Sequence, residues 1–319
     1  MALDSRDAGL ASEIVFGCLR FQAQIDHLIR RHAARAIDPE VRIALRMGIY
    51  QLRYLDRIPP HAAVGESVEL VKRARKASAA GFVNAVLRKI DRQEVAWPDR
   101  ATALSVPAWL LARWDEHFGR SVSDQMAAAF LKPAETTVAS TGRIQDVGAQ
   151  SVVPLLDLRP GQTFLDLCAA PGNKTAQAIA QGVHAVACDL HWHRLKQMRD
   201  LQCPLVVLDG TRPLPFRARF DRILVDAPCS GTGTLGRNPE IKWRLKPSDL
   251  TELHARQVAL VRQAKEHLCP GGRLIYSTCS LEREENEQVI QQIPGQWQIT
   301  RRLPGINAGD GFFIAVLAG

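Results

Sequence analysis

Long apolar segments are missing from this sequence of 319 residues. No run approaches the roughly 18 apolar residues that a membrane-spanning helix requires. The first residues, Met1 to Asp7, are polar and acidic, unlike the basic and then apolar start of a secretory signal. We therefore expect a protein without a membrane partner.

Closely paired cysteines are also missing. The chain has seven cysteines, but none forms a C-x-x-C pair and none lies in a cluster with histidines. This spacing argues against a zinc site and against a disulfide framework, so no metal is expected. Unpaired thiols are typical of a reducing compartment, which predicts a cytoplasmic location.

Charge is distributed unevenly along the chain. The formal net charge is +8, and residues 1–92 hold sixteen Lys and Arg against ten Asp and Glu, which is +6. A basic first third favours a polyanionic partner, nucleic acid first, although a solvated basic face would give the same count. The candidate phosphate contacts here are Arg20, Arg30, Arg31, Arg35, Arg46, Arg53, Lys72, Arg73, Arg75 and Lys76.

The apolar pattern divides the chain near Asp157. Residues 8–92 have helical spacing, and Asp38-Pro39 has the form of an N-cap followed by proline at the first helical position. Residues 93–108 read as a linker, and residues 109–131 as one or two further helices. The first part is therefore predicted to be all-helical.

After Asp157, short β-type runs alternate with helical ones, as in a parallel sheet covered on both faces. The predicted strands are 163–168, 183–189, 205–209, 222–226 and 273–278, and the predicted helices are 174–180, 192–201, 248–268 and 282–293. A last pair, 297–301 and 312–317, is expected to add antiparallel at the edge. The prediction is a mostly parallel, seven-stranded, Rossmann-like α/β domain.

A turn of small residues follows the first predicted strand and runs from Cys168 to Lys174. Small residues let a ligand approach the backbone, Gly172 can adopt a positive φ, and a helix would begin near Lys174. The glycine spacings of dinucleotide enzymes and of P-loops are absent, which disfavours a pyrophosphate cofactor. A tight turn without a ligand is the alternative.

Three later strands are each followed by an acid: Asp189, Asp209 and Asp226. Ligands of open α/β sheets bind at the carboxyl ends of strands. Asp189 fits a ribose hydroxyl, and Asp209 fits the amino group of adenine. Together the acids favour a cationic adenosine cofactor, S-adenosylmethionine, over the alternative that each only caps a loop.

Two cysteines lie at predicted strand ends, in Asp226-Ala-Pro-Cys229-Ser-Gly and in Ser277-Thr-Cys279-Ser. A thiolate that adds to C6 of cytosine makes C5 nucleophilic enough to take a methyl group from a sulfonium. The reaction needs that thiol, a carboxyl group beside the ring, and a base or second thiol for breakdown. Cys279, Asp226 and Cys229 supply these groups, and isolated cysteines are expected to be small buried hydrophobes.

At these motifs the chain resembles the RNA cytosine-C5 methyltransferases of the NOL1/NOP2/Sun family, and within it the bacterial Sun type that acts on small-subunit (16S) rRNA. The matching stretches are 168–175, 226–234, 237–243, 277–280, 284–287 and 310–313. The resemblance implies a class I, S-adenosylmethionine-dependent methyltransferase domain over residues 145–319.

The resemblance also implies a role for each matching residue. Cys279 would attack C6 of the cytosine, Cys229 would promote release of the product, and Asp226 would serve both the cofactor and the base. The implied site for S-adenosyl-L-methionine consists of Cys168, Ala169, Ala170, Pro171, Gly172, Asn173, Lys174, Asp189, Asp209 and Asp226. Arg237 and Lys242, in the loop after Cys229, would face the substrate.

The helical part resembles the NusB-like RNA-binding domain of the Sun type, in 47–52, 60–64 and 82–88. The implied domains are 1–92 for this part and 93–144 for a linker and helical connector. The family usually carries a small α/β RNA-recognition insert of several dozen residues in the connector, of which only Lys132–Ile144 remains. We therefore expect the NusB-like part to carry more of the RNA binding.

Three other functions fit parts of this pattern. A non-catalytic RNA-binding or ribosome-assembly factor would keep the fold, and an enzyme of another RNA, such as tRNA, would keep the chemistry. A DNA cytosine-C5 methyltransferase would use Cys229 as its nucleophile. The modified cytosine and the form of the substrate, naked rRNA or a partial ribosomal particle, stay open, and a monomer is the default.

Overall fold

The computed structural model describes residues 4–33 and 36–319. Arg35, one of the candidate phosphate contacts, lies outside the described residues. The chain forms two compact units, residues 1–116 and 117–319, which divide inside the predicted connector. Among the helices of the described residues, none is both long enough and apolar enough to cross a membrane.

The described residues of the first unit form helices joined by turns and loops, with no strand. Its helices are α1 (Ser5–Arg20), α2 (Gln22–His32), α3 (Pro39–Tyr54), α4 (Pro60–Arg73), α5 (Ala80–Leu87), α6 (Arg100–Leu104) and most of α7 (Ala108–Phe118). Helix α3 packs against α1, α2, α4 and α5. Its side chains Leu45 and Ile49 are fully buried, so α3 supplies the centre of the core of this unit.

The second unit is a sheet with helices around it. After the end of α7 its helices are α8 (Arg120–Ala129), α9 (Val147–Gln150), α10 (Asn173–Ile179), α11 (Trp192–Leu195), α12 (Ile241–Arg244), α13 (Pro247–Glu266) and α14 (Glu287–Gln291). Its strands are β1 (Thr163–Asp166), β2 (His184–Asp189), β3 (Leu205–Val207), β4 (Phe220–Asp226), β5 (Leu268–Thr278), β6 (Trp297–Arg302) and β7 (Phe312–Ala318).

The sheet has the order β3-β2-β1-β4-β5-β7-β6. Strands β1 to β5 are parallel, and β7 inserts antiparallel between β5 and the edge strand β6. This confirms the predicted fold, a mostly parallel seven-stranded sheet with an antiparallel pair at one edge. From β1 the strand order runs outwards in both directions, to β2 and β3 on one side and to β4 and β5 on the other. Folds of this kind bind ligands at the point between β1 and β4 where the strand order reverses.

The strand register decides which motifs meet. Strands β4 and β5 are neighbours, and Asp226 at the end of β4 pairs with Ser277 of β5. The segments that carry Cys229 and Cys279 therefore leave the sheet side by side at its carboxyl edge. Strand β1 lies next to β4 and delivers the small-residue turn to the same edge.

Two local predictions about the helical part need correction. The predicted linker contains α6, whose N-cap Asp99 accepts a hydrogen bond from the backbone N–H of Thr102 at 2.7 Å. Helix α3 does begin at Pro39, but the side chain of Asp38 makes no capping hydrogen bond. Its carboxylate instead forms an ion pair with Lys76 at 2.8 Å.

Candidate active site

Gly172 fixes the small-residue turn between β1 and α10. Its φ is +99°, a conformation that side-chain-bearing residues rarely adopt. A Cβ here would also lie 2.8 Å from Cγ of Met198. The turn therefore requires glycine for both backbone and space, as the sequence pattern indicated.

Asp189 at the end of β2 holds the other side of this turn. Its carboxylate accepts hydrogen bonds from the backbone N–H of Ala170 at 3.3 Å and of His191 at 3.0 Å. Arg194 donates to the carbonyl oxygen of Ala170 at 2.7 Å and lies 3.5 Å from the Asp189 carboxylate. Asp189 and Arg194 therefore hold the backbone of the turn at Ala170 in place.

Asp209 lies after β3. It accepts hydrogen bonds from the backbone N–H and the hydroxyl of Thr211, at 3.0 and 2.6 Å. These hydrogen bonds lower the pKa of the carboxyl group, with a smaller contribution from Arg212. Neither Asp209 nor Asp189 lines the cavity beside Asp166 or the cavity that contains Cys279.

Asp166, the last residue of β1, is a site residue that the sequence reasoning missed. It is 1% exposed, and one carboxylate oxygen accepts a hydrogen bond from the hydroxyl of Thr175 at 2.7 Å. The other oxygen, Oδ1, is buried without a hydrogen-bond partner. Burial, with a contribution from the charge of Asp226, raises the pKa of Asp166 to about 7.

A cavity of about 90 Å³ opens beside Asp166. Its lining comes from the turn and from the helix that follows: Cys168, Ala169, Ala170, Pro171, Asn173 and Lys174, with Asp226, Gln145 and Ala149. The turn and Asp226 thus surround one space that Asp166 also lines.

A second cavity, of about 300 Å³, contains the chemically reactive groups. Cys279, Lys174 and Asp226 line it, together with Phe312 and Arg237. Lys174 and Asp226 also line the first cavity, so the two spaces adjoin. The structure therefore places a thiol beside the predicted cofactor turn.

Lys174 and Asp226 form an ion pair of 2.6 Å between these two cavities. Burial alone would lower the pKa of Lys174, but the charge and hydrogen bond of Asp226 outweigh it and raise this pKa. The hydroxyl of Ser277 donates to the other Asp226 oxygen at 2.8 Å. Lys174 thus stays cationic and holds Asp226 in one orientation.

The sulfur atoms of Cys229 and Cys279 are 3.3 Å apart. The hydrogen bond with Cys279 and burial raise the pKa of Cys229 well above its ordinary value. Cys229 therefore keeps its proton at neutral pH and can donate it towards the sulfur of Cys279. Cys279 is in turn one of the groups that raise the pKa of Lys174, so the ammonium and this thiol lie close enough to interact.

Two residues predicted to face the substrate have other surroundings. Lys242 is 1% exposed and lines neither cavity, which contradicts the prediction that it faces the substrate. Arg237 lines the second cavity, but its guanidinium forms ion pairs with Asp310 at 3.0 Å and Asp146 at 3.1 Å. Arg237 therefore joins the segments around the cavity rather than extending freely into it.

The seven-stranded sheet, the small-residue turn and the adjoining thiol cavity are the arrangement of a Rossmann-like methyltransferase domain. The model of the family described as 16S rRNA methyltransferase RsmB/F matches residues 153–297, and the NusB family model matches residues 1–92. The chain belongs to the RsmB/F family of 16S rRNA methyltransferases.

Curated relatives match almost the whole chain. The ribosomal RNA small subunit methyltransferases B of Yersinia pseudotuberculosis serotype O:1b (strain IP 31758) and of Yersinia pestis bv. Antiqua (strain Angola) are each 32% identical to it over 391 aligned positions. Each alignment covers 98% of this chain and 91% of the relative. The 391 positions exceed the 319 residues of this chain, so the relatives contain residues that it lacks.

Solved structures share the fold. PH0851 has a TM-score of 0.79 and 21% identity, covering 99% of this chain and 91% of that one. A methyltransferase homolog from Pyrococcus horikoshii has a TM-score of 0.58 and 23% identity, covering 70% and 99%. NSun6 from Pyrococcus horikoshii, solved with SFG, has a TM-score of 0.50 and 26% identity, covering 55% and 52%.

Proposed function

We propose that this protein methylates C5 of a cytosine in 16S rRNA, using S-adenosylmethionine and a covalent adduct between Cys279 and C6. The observation that carries the proposal is the contact between two thiols, one of which lines a cavity adjoining the cofactor turn. In this proposal residues 145–319 form the methyltransferase domain, and residues 1–92 form the RNA-binding domain.

The residues around the smaller cavity suit S-adenosylmethionine. The buried Asp166 oxygen without a partner fits the ammonium group of such a cofactor, since a buried carboxylate needs a donor or a cation. Residues 168–174 and Asp226 would surround the ligand, with Asp189 shaping the turn and Asp209 beyond it. The NSun6 relative was solved with SFG, an analogue of S-adenosylmethionine. The cofactor supplies an electrophilic methyl group on a sulfonium.

Covalent addition begins with Cys279. Its thiolate, beside the ammonium of Lys174, forms a bond to C6 of the cytosine, and the C5–C6 π electrons move into the ring towards N3. Asp226 is assigned to the ring edge at N3, where its carboxyl group, in the protonated form, would donate a hydrogen bond to the electron-rich N3 of the adduct. Lys174 and Ser277 fix the two oxygens of that carboxylate, so it is oriented before the substrate binds.

In the breakdown of the adduct, the bond between the Cys279 sulfur and C6 is cleaved. After C5 has gained the methyl group, the C5 proton must leave to a base, and the sulfur–C6 bond breaks to restore the double bond. Cys229 lies 3.3 Å from the departing sulfur and holds a proton that it can donate to that sulfur. This contact supports the role in product release that the family resemblance implies.

The target is a cytosine that has left its stack, because the thiol lies at the wall of a cavity. The family description and the relatives' names identify small-subunit rRNA as the substrate class. The basic NusB-like part would contribute phosphate contacts.

Methyl transfer from labelled S-adenosylmethionine to 16S rRNA, to partial 30S particles and to tRNA tests the proposal, with bisulfite sequencing to locate the product. Cys279→Ala should abolish transfer. Cys269→Ala is the matched control, because Cys269 lies near the start of β5, at the edge of the sheet opposite Cys279, which directly follows that strand. Full transfer by Cys279→Ala, or label on tRNA alone, would contradict the proposal.

A further inference from the structure

A buried carboxylate, Glu285, lies behind the two thiols. Glu285 ends a short 3-10 helix that begins at Arg283, and it is 0% exposed. Among the residues that the structure describes, no Lys or Arg forms an ion pair with it. A buried acid of this kind is costly unless polar groups surround it, so its contacts indicate why it is there.

The contacts of Glu285 join the two cysteine segments. Ser230 follows Cys229, and both its backbone N–H, at 2.8 Å, and its hydroxyl donate to the Glu285 carboxylate. Ser280 follows Cys279, and its hydroxyl donates to the same carboxylate at 2.5 Å. One side chain thus receives a hydrogen bond from the residue after each thiol.

Two further side chains hold Glu285 in place. The amide of Gln257, on α13, donates to the Glu285 carboxylate at 3.0 Å and to the carbonyl oxygen of Pro228 at 2.9 Å. The hydroxyl of Tyr276 donates to the backbone carbonyl of Glu285 at 2.5 Å. The carboxylate is therefore fixed relative to the sheet, and the cysteine segments are fixed relative to the carboxylate.

Other hydrogen bonds would keep the two segments folded without Glu285. The backbone N–H of Gly233 donates to the carbonyl oxygen of Cys279 at 2.8 Å, and Leu281 N–H donates to the hydroxyl of Thr232 at 2.8 Å. These bonds fix the backbone beyond the cysteines. Nearer to the thiols, the hydroxyls of Ser230 and Ser280 lie 3.1 Å apart, and the Glu285 carboxylate accepts a hydrogen bond from each of these residues.

We propose that Glu285 is a positioning residue that holds the thiols of Cys229 and Cys279 in contact, so that both act on the same cytosine ring. The inference rests on the covalent chemistry proposed above. In that chemistry Cys279 forms the sulfur–C6 bond, and Cys229 must be close enough to donate a proton to the same sulfur when the bond breaks. Glu285 touches no substrate atom in this account and acts through Ser230 and Ser280.

The charge of Glu285 has a second effect on the same pair. It is one of the causes that raise the pKa of Cys229, after the hydrogen bond with Cys279 and burial. A negative charge close behind Cys229 disfavours its thiolate. Glu285 therefore helps to keep Cys229 the protonated partner and leaves Cys279 as the nucleophile.

The first test compares Glu285→Gln with Glu252→Gln, an exposed carboxylate on α13. Glu285→Gln should lower kcat about thirtyfold, while KM for S-adenosylmethionine stays within about twofold, because the change affects thiol geometry and not cofactor binding. Glu252→Gln should leave both values unchanged. An unchanged kcat in a folded Glu285→Gln protein would overturn the inference.

The second test measures the thiol itself. In a Cys279→Ser background, the pH dependence of alkylation at Cys229, followed by peptide mass spectrometry, should shift to lower pH in Glu285→Gln by about half a pH unit or more. No shift would overturn the charge effect of Glu285. If Glu285→Gln fails to fold, Ser230→Ala/Ser280→Ala takes its place in the kinetic test, with the same expected loss of kcat and the same contradicting result.

The two proposals fail in different ways. If the wild-type protein transfers no methyl group to rRNA, the proposed function fails, whereas the alkylation experiment still measures the effect of Glu285 on Cys229. If the wild type is active and both the kinetic and the thiol measurements of Glu285→Gln match it, only the role of Glu285 fails.

Discussion

Asp166 combines three features that rarely occur together in a residue without a ligand. It is buried, one of its oxygens has no hydrogen-bond partner, and its pKa is about 7. In the unfolded chain an aspartate is ionised above about pH 4, so the folded protein favours its protonated form between pH 4 and 7. A cationic ligand beside it would favour the ionised form instead.

Burial favours the protonated form of Asp166, whereas a cationic cofactor favours the ionised form. Cofactor binding should therefore depend on pH. Below about pH 7, binding of S-adenosylhomocysteine must first remove a proton from Asp166, so its Kd should rise by up to about tenfold per pH unit as the pH falls. Asp166→Asn should bind more weakly at pH 7.5 and lose this dependence. Calorimetric titrations between pH 5.5 and 7.5 measure both, and an equal slope in the two proteins would contradict the role of Asp166.

Replacing Cys229 should separate the two halves of the reaction. Cys279 can still attack in Cys229→Ala, but the sulfur–C6 bond has lost its neighbouring proton donor, so a covalent protein–rRNA complex should accumulate. A denaturing gel with labelled rRNA detects the complex. Cys229→Ala/Cys279→Ala serves as the control, since it should form none, and a Cys229→Ala protein without a complex contradicts the assignment.

Single residues differed in how well the sequence predicted them. Cys229 and Cys279 could be singled out because each follows a strand in a distinctive motif, and Gly172 because its turn needs a positive φ. Asp166 also ends a strand, which was the available signal. Burial is the property that the sequence did not predict. The loop sequence around Lys242, for example, does not indicate that its side chain is buried.

Helix α1 contains two glycines in opposite surroundings, which gives a matched pair of variants. A Cβ at Gly17 would lie 1.9 Å from Cζ of Tyr50, whereas a Cβ at Gly9 would meet no atom within 4 Å. Tyr50 cannot move away easily, because it is buried and its hydroxyl donates to Glu13 at 2.5 Å.

Gly17→Ala should therefore destabilise the helical unit by about 2–3 kcal/mol through overpacking. Gly9→Ala should stabilise it by about 0.5–1 kcal/mol, because alanine favours helix and the position is open. Urea unfolding followed by circular dichroism measures the two changes. Free energies of unfolding that change in the same direction would contradict the packing of α1 on α3.

Helices and strands were predictable wherever the apolar pattern was long. The five parallel strands and the antiparallel pair lie where the sequence pattern placed them, because buried strands need continuous β-branched and aliphatic runs. The ends were less certain: β5 reaches back to Leu268, which the pattern assigned to the preceding helix. Helix α6 has only five residues, too few to show a helical period, so the sequence pattern there does not distinguish it from a linker.

The contact between the two thiols depends on the order of the strands in the sheet. The sequence motifs alone do not determine that order. Cys229 and Cys279 are 50 positions apart and meet because β4 and β5 are neighbours in parallel register. The family resemblance predicted this meeting. Hydrophobic periodicity could not, since it indicates strands but not their order in the sheet.

The charge balance predicts how the protein binds its substrate. The helical first third carries most of the net positive charge, +6 of +8, so rRNA binding should weaken with salt, as counterion release requires. Arg30→Gln/Arg31→Gln, at two exposed positions in the last turn of α2, should reduce the slope of log K against log salt by about 1–2. Filter binding at several salt concentrations measures the slope.

Arg159→Gln provides the matched control for this measurement. Arg159 is exposed and lies just before β1, at the edge of the sheet opposite the thiol cavity. Its replacement should leave the slope unchanged. A slope that falls equally in both proteins would assign the effect to total charge rather than to the helical part.

The most direct measurement is the identity of the cysteine that attacks the substrate. The protein would be incubated with S-adenosylmethionine and 16S rRNA containing 5-fluorocytidine, whose C5 fluorine prevents release, and the adduct would be mapped by peptide mass spectrometry. We expect a nucleotide bonded to Cys279. A nucleotide bonded to Cys229, or no adduct while methyl transfer to normal rRNA proceeds, would contradict it.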